Sequence, residues 1–297
     1  MVTPLIRLLV FVSASAFALP LLAATGARAE PETVYFKSAD GKTEIVGYLY
    51  KPEGPGPHPA IVLLPGRAGP YSTKYNKDCT DVGRGITSDC NAGTLSMRHK
   101  MWGEFWAGKG LLALLPDSFG PRGVGKGFPR FSHGQHERDS TNEKTVRPFD
   151  AEGALTYLRA RDDVADKPVF LQGWSNGGST TLNVMTRQAA KSGFRAALAF
   201  YPGCGKDALI DDKKIVTTAP VALFMGEADE EVSPAECKKV AKGSIDASTP
   251  FTDTFYPGAT HDFDDPGDKR QDVQANRVAK QDATDKSAAM LAGFIQP

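Results

Sequence analysis

The sequence predicts an α/β fold with a mainly parallel central sheet and helices on both faces. Three observations predict it. Short unbroken apolar runs recur along the chain, each run ends in turn residues, and segments of helical spacing fill the intervals between them.

The N-terminus reads as a processing segment. After a short start with a single arginine, residues 8–24 are mostly apolar and contain Pro20. Ala27-Arg28-Ala29 then offers small residues at both positions of an A-x-A cleavage site. Residues 1–29 are expected to be a secretory signal peptide cut before Glu30, the alternative being an uncleaved anchor. The apolar run is short and interrupted for a spanning helix. Residues 30–297 are expected to form one α/β-hydrolase domain, in the periplasm or secreted, with no stable membrane anchor after cleavage.

Residues 33–50 alternate around Asp40-Gly41, a hairpin signal. A Pro/Gly-rich connector follows at 51–57. Ala60-Ile61-Val62-Leu63-Leu64 ends in Pro65-Gly66, and the run 111–115 ends in Pro116-Asp117. Val169-Phe170-Leu171 leads into Gly173, the run 196–201 into Pro202-Gly203, and the run 221–225 into Gly226. Such runs suit parallel strands buried on both faces. Ala151, Ala154, Leu155 and Leu158 have helical spacing, as do Ala283, Ser287, Met290, Leu291 and Phe294. Residues 70–98 and 118–147 fit neither pattern. Both leave strand ends, where loops can roof a pocket.

Thirty-five basic and 35 acidic residues balance. Removing residues 1–29 takes away Arg7 and Arg28 and no acid, leaving 33 basic and 35 acidic residues, a net charge of −2. Nothing in this balance supports nucleic-acid binding. Four cysteines allow three pairings. Cys79–Cys90 is expected to close a polar loop, and Cys204–Cys237 to tie two loops at one end of the sheet. No C-x-x-C occurs, and no histidine lies at ligand spacing from a cysteine, so neither a metal nor a cofactor is expected.

Gly173-Trp174-Ser175-Asn176-Gly177 is a G-x-S-x-G motif between an apolar strand and the helical segment 179–190. Such a turn lifts the serine hydroxyl out of the sheet, making Ser175 the candidate nucleophile. A hydroxyl needs a base. Of His58, His99, His133, His136 and His261, only the last follows the final strand, at 252–256, and precedes the C-terminal helix. The acid belongs after the next-to-last strand, where Gly226-Glu227-Ala228-Asp229 lies. Asp229 is the choice, with Glu227 and Glu230 as competitors and Asp262, Asp264 and Asp265 as other acids nearby. Serine, acid, histidine is the chain order of the α/β-hydrolase fold. The oxyanion donors are expected to be the backbone N–H of Asn176 and of Arg67, with Gly66 and Ala68 as neighbours of the latter.

These motifs resemble the dienelactone hydrolase family of α/β-hydrolases. The resemblance covers most of residues 45–295. It rests on Leu64-Pro65-Gly66-Arg67-Ala68-Gly69, Asp117-Ser118-Phe119-Gly120-Pro121-Arg122-Gly123 and Arg147-Pro148-Phe149-Asp150. It continues through the Ser175 turn, Tyr201-Pro202-Gly203-Cys204, Gly226-Glu227-Ala228-Asp229 and Pro257-Gly258-Ala259-Thr260-His261-Asp262-Phe263. The name-giving enzymes carry cysteine where this chain has Ser175, and a glutamate in the first oxyanion segment. The resemblance therefore implies a serine carboxylesterase rather than their cysteine mechanism. It also supports a Cys204–Cys237 bridge in exported members.

The expected substrate is a small-molecule ester or lactone. Trp102, Trp106, Phe119, Phe128, Phe131, Trp174 and Phe263 are candidates to line an apolar pocket, with Trp174 and Arg122 as named substrate contacts. Arg122 and Arg147 would either clamp an acidic substrate group or form ion pairs, and Asp117 and Asp150 would fix neighbouring loops. Two other readings are a peptidase, for which no propeller or other gating domain is seen, and a non-catalytic binding protein on the same scaffold.

Overall fold

The computed structural model describes Met1 and residues 30–132, 135–187, 193–209 and 214–295. The expected signal segment and His133 lie outside the described residues. No helix among those described is long and apolar enough to cross a membrane.

Eight strands form one sheet among the described residues: β1 (Glu32–Lys37), β2 (Glu44–Tyr50), β3 (Ala60–Leu64), β4 (Leu112–Asp117), β5 (Val169–Trp174), β6 (Ala197–Phe200), β7 (Val221–Gly226) and β8 (Phe251–Tyr256). Their spatial order is β1-β2-β4-β3-β5-β6-β7-β8. The hairpin β1–β2 and the pair β2–β4 are antiparallel, and every later pairing is parallel. All residues of β3 to β7 are buried. A strand buried at every position has cover on both sides, which explains its unbroken apolar runs. The helices are α1 (Met97–Gly108), α2 (Arg147–Arg159), α3 (Asn176–Arg187), α4 (Pro234–Asp246), α5 (Asp268–Gln271) and α6 (Gln274–Ala292). This is the α/β-hydrolase fold expected from the sequence.

Helices α1, α4 and α5 are elements the sequence reading missed, and α1 bears most on the site. Its buried residues are His99, Trp102, Gly103 and Trp106, at helical spacing. A histidine and a glycine in that stripe hide its apolar character. The Trp106 indole donates to Gln172 at 2.7 Å, so even the core contact has a polar end. Ser96 caps the helix by accepting from the His99 N–H.

The two irregular segments bond to each other. Val82 N–H donates to Gly120 C=O (3.1 Å) and Gly125 N–H to Thr80 C=O (2.8 Å). Asp117, at the end of β4, accepts from the N–H groups of Phe119 and Gly120 and from the Tyr71 hydroxyl. Its burial pushes its carboxyl up to about 6 against those hydrogen bonds. Disulfides join Cys79 to Cys90 and Cys204 to Cys237, as expected.

Cys204 follows β6 and Cys237 lies in α4, 33 positions further along the chain. Replacing both by alanine is expected to cost about 2–4 kcal/mol through the loop left unclosed in the unfolded chain. Urea unfolding measures this as a lower midpoint, with a steeper slope because the unfolded chain without the cross-link exposes more surface.

Candidate active site

Ser175 sits between the last residue of β5 and the first of α3, with φ of 52°. A side chain in this left-handed region is strained, and its surroundings enforce it. The Ser175 N–H is held by Phe200 C=O at 2.9 Å. At Gly177 a Cβ would collide with the Leu64 carbonyl, so only glycine lets α3 start this close to the end of β3. The hydroxyl is thereby left at the carboxyl edge of the sheet.

Two further strand ends bring the partners. Asp229 follows β7 by three residues, and His261 lies in the loop after β8. A Cβ at Gly226 would collide with the Ala259 carbonyl, and Ala228 N–H donates to that same carbonyl at 2.9 Å. The two loops therefore touch backbone to backbone. His261 Nε2 lies 3.0 Å from Ser175 Oγ, and His261 Nδ1 lies 2.7 Å from Asp229 Oδ2. Asp229 Oδ1 accepts from the N–H groups of Glu231 and Val232, which fixes the carboxylate plane. Because Asp229 is acceptor-only when ionised, Nδ1 carries the proton and Nε2 is free to accept one from the serine.

The competing acids have other partners. Glu227 pairs with Lys238 at 2.5 Å. Glu230 accepts the His261 backbone N–H at 2.9 Å and pairs with Arg270. Asp262 and Asp265 pair with Arg98 at 2.7 and 3.1 Å. Asp264, wholly buried, accepts from the Trp102 and Trp174 indoles and the Tyr201 hydroxyl at 2.7, 2.8 and 2.5 Å. It anchors the His261 loop to the aromatic core. Sequence reading missed this role, although an acid within an Asp-rich loop behind three tryptophans was the available signal. Of the other histidines, His58 sits in the exposed connector, His136 is exposed beside Asp139, and His99 is buried in α1.

The oxyanion segment lies beside the hydroxyl: a Cβ at Gly66 would touch Ser175 Cβ at 3.5 Å. Among the described residues no acceptor takes the N–H of Arg67 or of Asn176. The Arg67 side chain is turned away, donating to Glu231 at 2.5 Å and to Phe128 C=O at 2.6 Å. Arg147 ties the two segments together. It is wholly buried, donates to Pro65 C=O at 2.8 Å and to the Asn176 side-chain oxygen, and lies over the Phe119 ring. Burial lowers its pKa to about 10, which still leaves it charged at neutral pH.

Three expectations are corrected here. Trp174 does not reach the cavity: it is fully buried with its N–H on Asp264. Arg122 is a structural ion pair, bidentate on buried Asp150 at 2.8 and 2.9 Å. Trp102, Trp106, Phe119 and Phe263 are core, because indoles and phenyl rings beneath the strand ends fill the space under the site. The cavity above Ser175 and His261, about 450 Å³, is instead lined by residues from both irregular segments, including Tyr71, Ser72, Ser96, Arg98 and Arg130.

Glu231, His261 and Asp262 bring possible metal-ligand atoms within 4.8 Å of one another. Their chemistry fits ion pairing better than a cation. Arg67 and Arg130 hold Glu231, Arg98 holds Asp262, and His261 is engaged by Asp229 and Ser175.

Burial opposes charge on His261. The Asp229 hydrogen bond and the charges of Asp262, Asp229 and Glu231 outweigh it, so its pKa lies above the ordinary histidine value. Asp262→Asn removes one of these charges and leaves the Arg98 guanidinium less neutralised. The His261 pKa is then expected to fall, which NMR titration of the imidazole measures directly; an unchanged or higher midpoint contradicts the assignment.

The model of the dienelactone hydrolase family matches residues 93–294. Solved structures with similar folds include a putative dienelactone hydrolase from Klebsiella pneumoniae subsp. pneumoniae (15% identity, 90% of this chain and 100% of that chain, TM-score 0.63). A dienelactone hydrolase-like promiscuous phosphotriesterase, P91, from metagenomic libraries shares 19% identity over 90% of this chain and 100% of that one, with a TM-score of 0.63. Esterase 2 of Thermogutta terrifontis shares 20% identity over 93% and 100%, with a TM-score of 0.60, and has also been solved phosphorylated by paraoxon. No curated protein matches the chain. With the family model spanning more than half the sequence, the chain belongs to the dienelactone hydrolase family of α/β-hydrolases.

Proposed function

We propose that this hydrolase cleaves small carboxylic esters or lactones through an acyl-enzyme on Ser175. The observation that carries the reading is the hydrogen-bonded series Ser175 Oγ, His261 Nε2, His261 Nδ1, Asp229 Oδ2. Ser175 Oγ attacks the ester carbonyl while its proton passes to His261 Nε2. The imidazolium is stabilised by Asp229, and the carbonyl oxygen, now an oxyanion, is held by the N–H groups of Arg67 and Asn176. Collapse breaks the bond to the leaving alcohol, which takes the proton from His261. A water then attacks the acyl carbonyl with His261 as base, releasing the acid and restoring Ser175. The two disulfides support folding in an oxidising compartment. This accords with residues 1–29 as a cleaved export signal and 30–297 as the exported domain, periplasmic or secreted.

A fluorophosphonate probe tests the nucleophile. Labelling of the folded protein that disappears in Ser175→Ala is the expected result; absence of labelling favours a binding module, and faster turnover of amides than of matched esters favours a peptidase. Arg147→Lys keeps a charge but cannot span Pro65 and Asn176 together. It is expected to lower kcat about 10–100-fold with little change in KM, since misplaced oxyanion donors act on the transition state.

A further inference from the structure

His261 presents two nitrogens, and Asp229 accounts for Nδ1 alone. On the other side of the ring, Glu231 Oε2 lies 3.8 Å from Nε2, the nitrogen that also faces Ser175 Oγ at 3.0 Å. Glu231 comes from the acid loop itself. Its N–H donates to Asp229 Oδ1 at 2.8 Å, a local turn that returns a second carboxylate to the ring two residues after the first. The Glu231 side chain is 4% exposed, and its Oε2 has no hydrogen bond.

A buried carboxylate keeps its charge only where cations offset it. Arg67 Nε donates to Glu231 Oε1 at 2.5 Å, and Arg130 Nε lies 3.1 Å from Oε2. The Arg130 side chain is 43% exposed, so water screens its charge and leaves the carboxylate the nearer influence on the ring. Arg67 is also the residue whose N–H is proposed above as an oxyanion donor. Its side-chain bond to Glu231 therefore joins the oxyanion turn to the imidazole.

Before reaction Nε2 carries a lone pair, and an oxygen opposite it gains nothing. When the Ser175 proton passes to Nε2 the ring becomes cationic, and Oε2 then faces a positive charge between two buried side chains. At 3.8 Å Oε2 is too far to take the proton. Nε2–H thus stays aimed at the serine or leaving-group oxygen. An attraction that exists only after proton transfer lowers the barrier rather than tightening binding. Resting on the ester-hydrolase reading above, we propose that Glu231 is a positioning residue that stabilises the His261 imidazolium from the serine side and, through Arg67, holds the oxyanion turn against it.

Other charges reach the ring. Asp262 and Glu230 are paired with Arg98 and Arg270. Tyr201 packs edge-on at 4.7 Å, its hydroxyl kept protonated by burial. Burial lowers the His261 pKa, and the carboxylates of Asp229, Asp262 and Glu231 raise it above the ordinary value.

The test is the pH dependence of kcat/KM for p-nitrophenyl acetate, with NMR titration of the His261 imidazole. Catalysis needs the neutral ring, so activity falls below the His261 midpoint. Glu231→Gln keeps the shape and an acceptor for Arg67 but removes the charge. Its acid limb and NMR midpoint are expected to move to lower pH by about one pH unit, and its plateau to fall about tenfold, the same loss of imidazolium stability read in two ways. A residue that only braced the loop would slow the plateau and leave the limb in place. Arg130→Gln, at an exposed position, removes a positive charge from Oε2 and is expected to move the limb to higher pH; it decides the matter if Glu231→Gln does not fold. A limb that stays or rises in Glu231→Gln, an unchanged plateau in that variant, or a limb that stays or falls in Arg130→Gln overturns the role. Fluorophosphonate labelling of Ser175 in the unaltered protein separates the two readings. With labelling, such a result removes the Glu231 role alone; without labelling, the ester-hydrolase reading falls and takes the role with it.

Discussion

One imidazole, held from both sides, organises this molecule. His261 bridges Ser175 and Asp229, which lie on loops from different strands. Neither hydrogen bond survives a displacement of about an ångström. The demands on the rest of the fold follow from that tolerance. The loops after β7 and β8 are locked backbone to backbone, Asp264 ties the histidine loop to three ring systems, and Arg147 joins the turn after β3 to the start of α3. Each fastening is polar and buried, where a hydrogen bond is stronger than it would be in water.

Much of this architecture was legible in the sequence. Strands β3 to β7 announce themselves because burial on both faces leaves few polar positions, Gln172 in β5 and Asp117 at the end of β4 among them, to interrupt them. The strand-end turns, Gly173 to Gly177, Gly226 and Pro257-Gly258, mark where the chain must turn sharply, and they pointed to Ser175, Asp229 and His261 by order alone. Helix α1 did not show, because its inward stripe contains His99 and Gly103. Glycine is needed there since a Cβ at 103 would meet the Tyr50 ring.

The cavity wall was less legible, for a different reason. Aromatic residues near a catalytic motif suggest an apolar pocket, but composition does not reveal which side of the sheet edge a ring takes. Here Trp102, Trp106 and Trp174 fall below that edge, where Asp264 and Gln172 accept their N–H groups. Arg122 and Arg147, read as possible clamps, are likewise consumed inside. What remains above is the hydroxyl- and ion-pair-rich surface of two segments with no periodic pattern to read.

Those two segments are fastened to one another, through the bonds Val82 to Gly120, Gly125 to Thr80 and Asn76 to the Lys126 carbonyl, and to the acid and histidine loops through Arg130 on Glu231 and Arg98 on Asp262 and Asp265. The catalytic edge is set by strand register, whereas the canopy above it is cross-braced and pinned to that edge by side-chain ion pairs. Insertions at the tips of that canopy would remodel the chamber without disturbing strand register, so descendants of this scaffold can diversify by lengthening loops where other hydrolases must exchange core side chains.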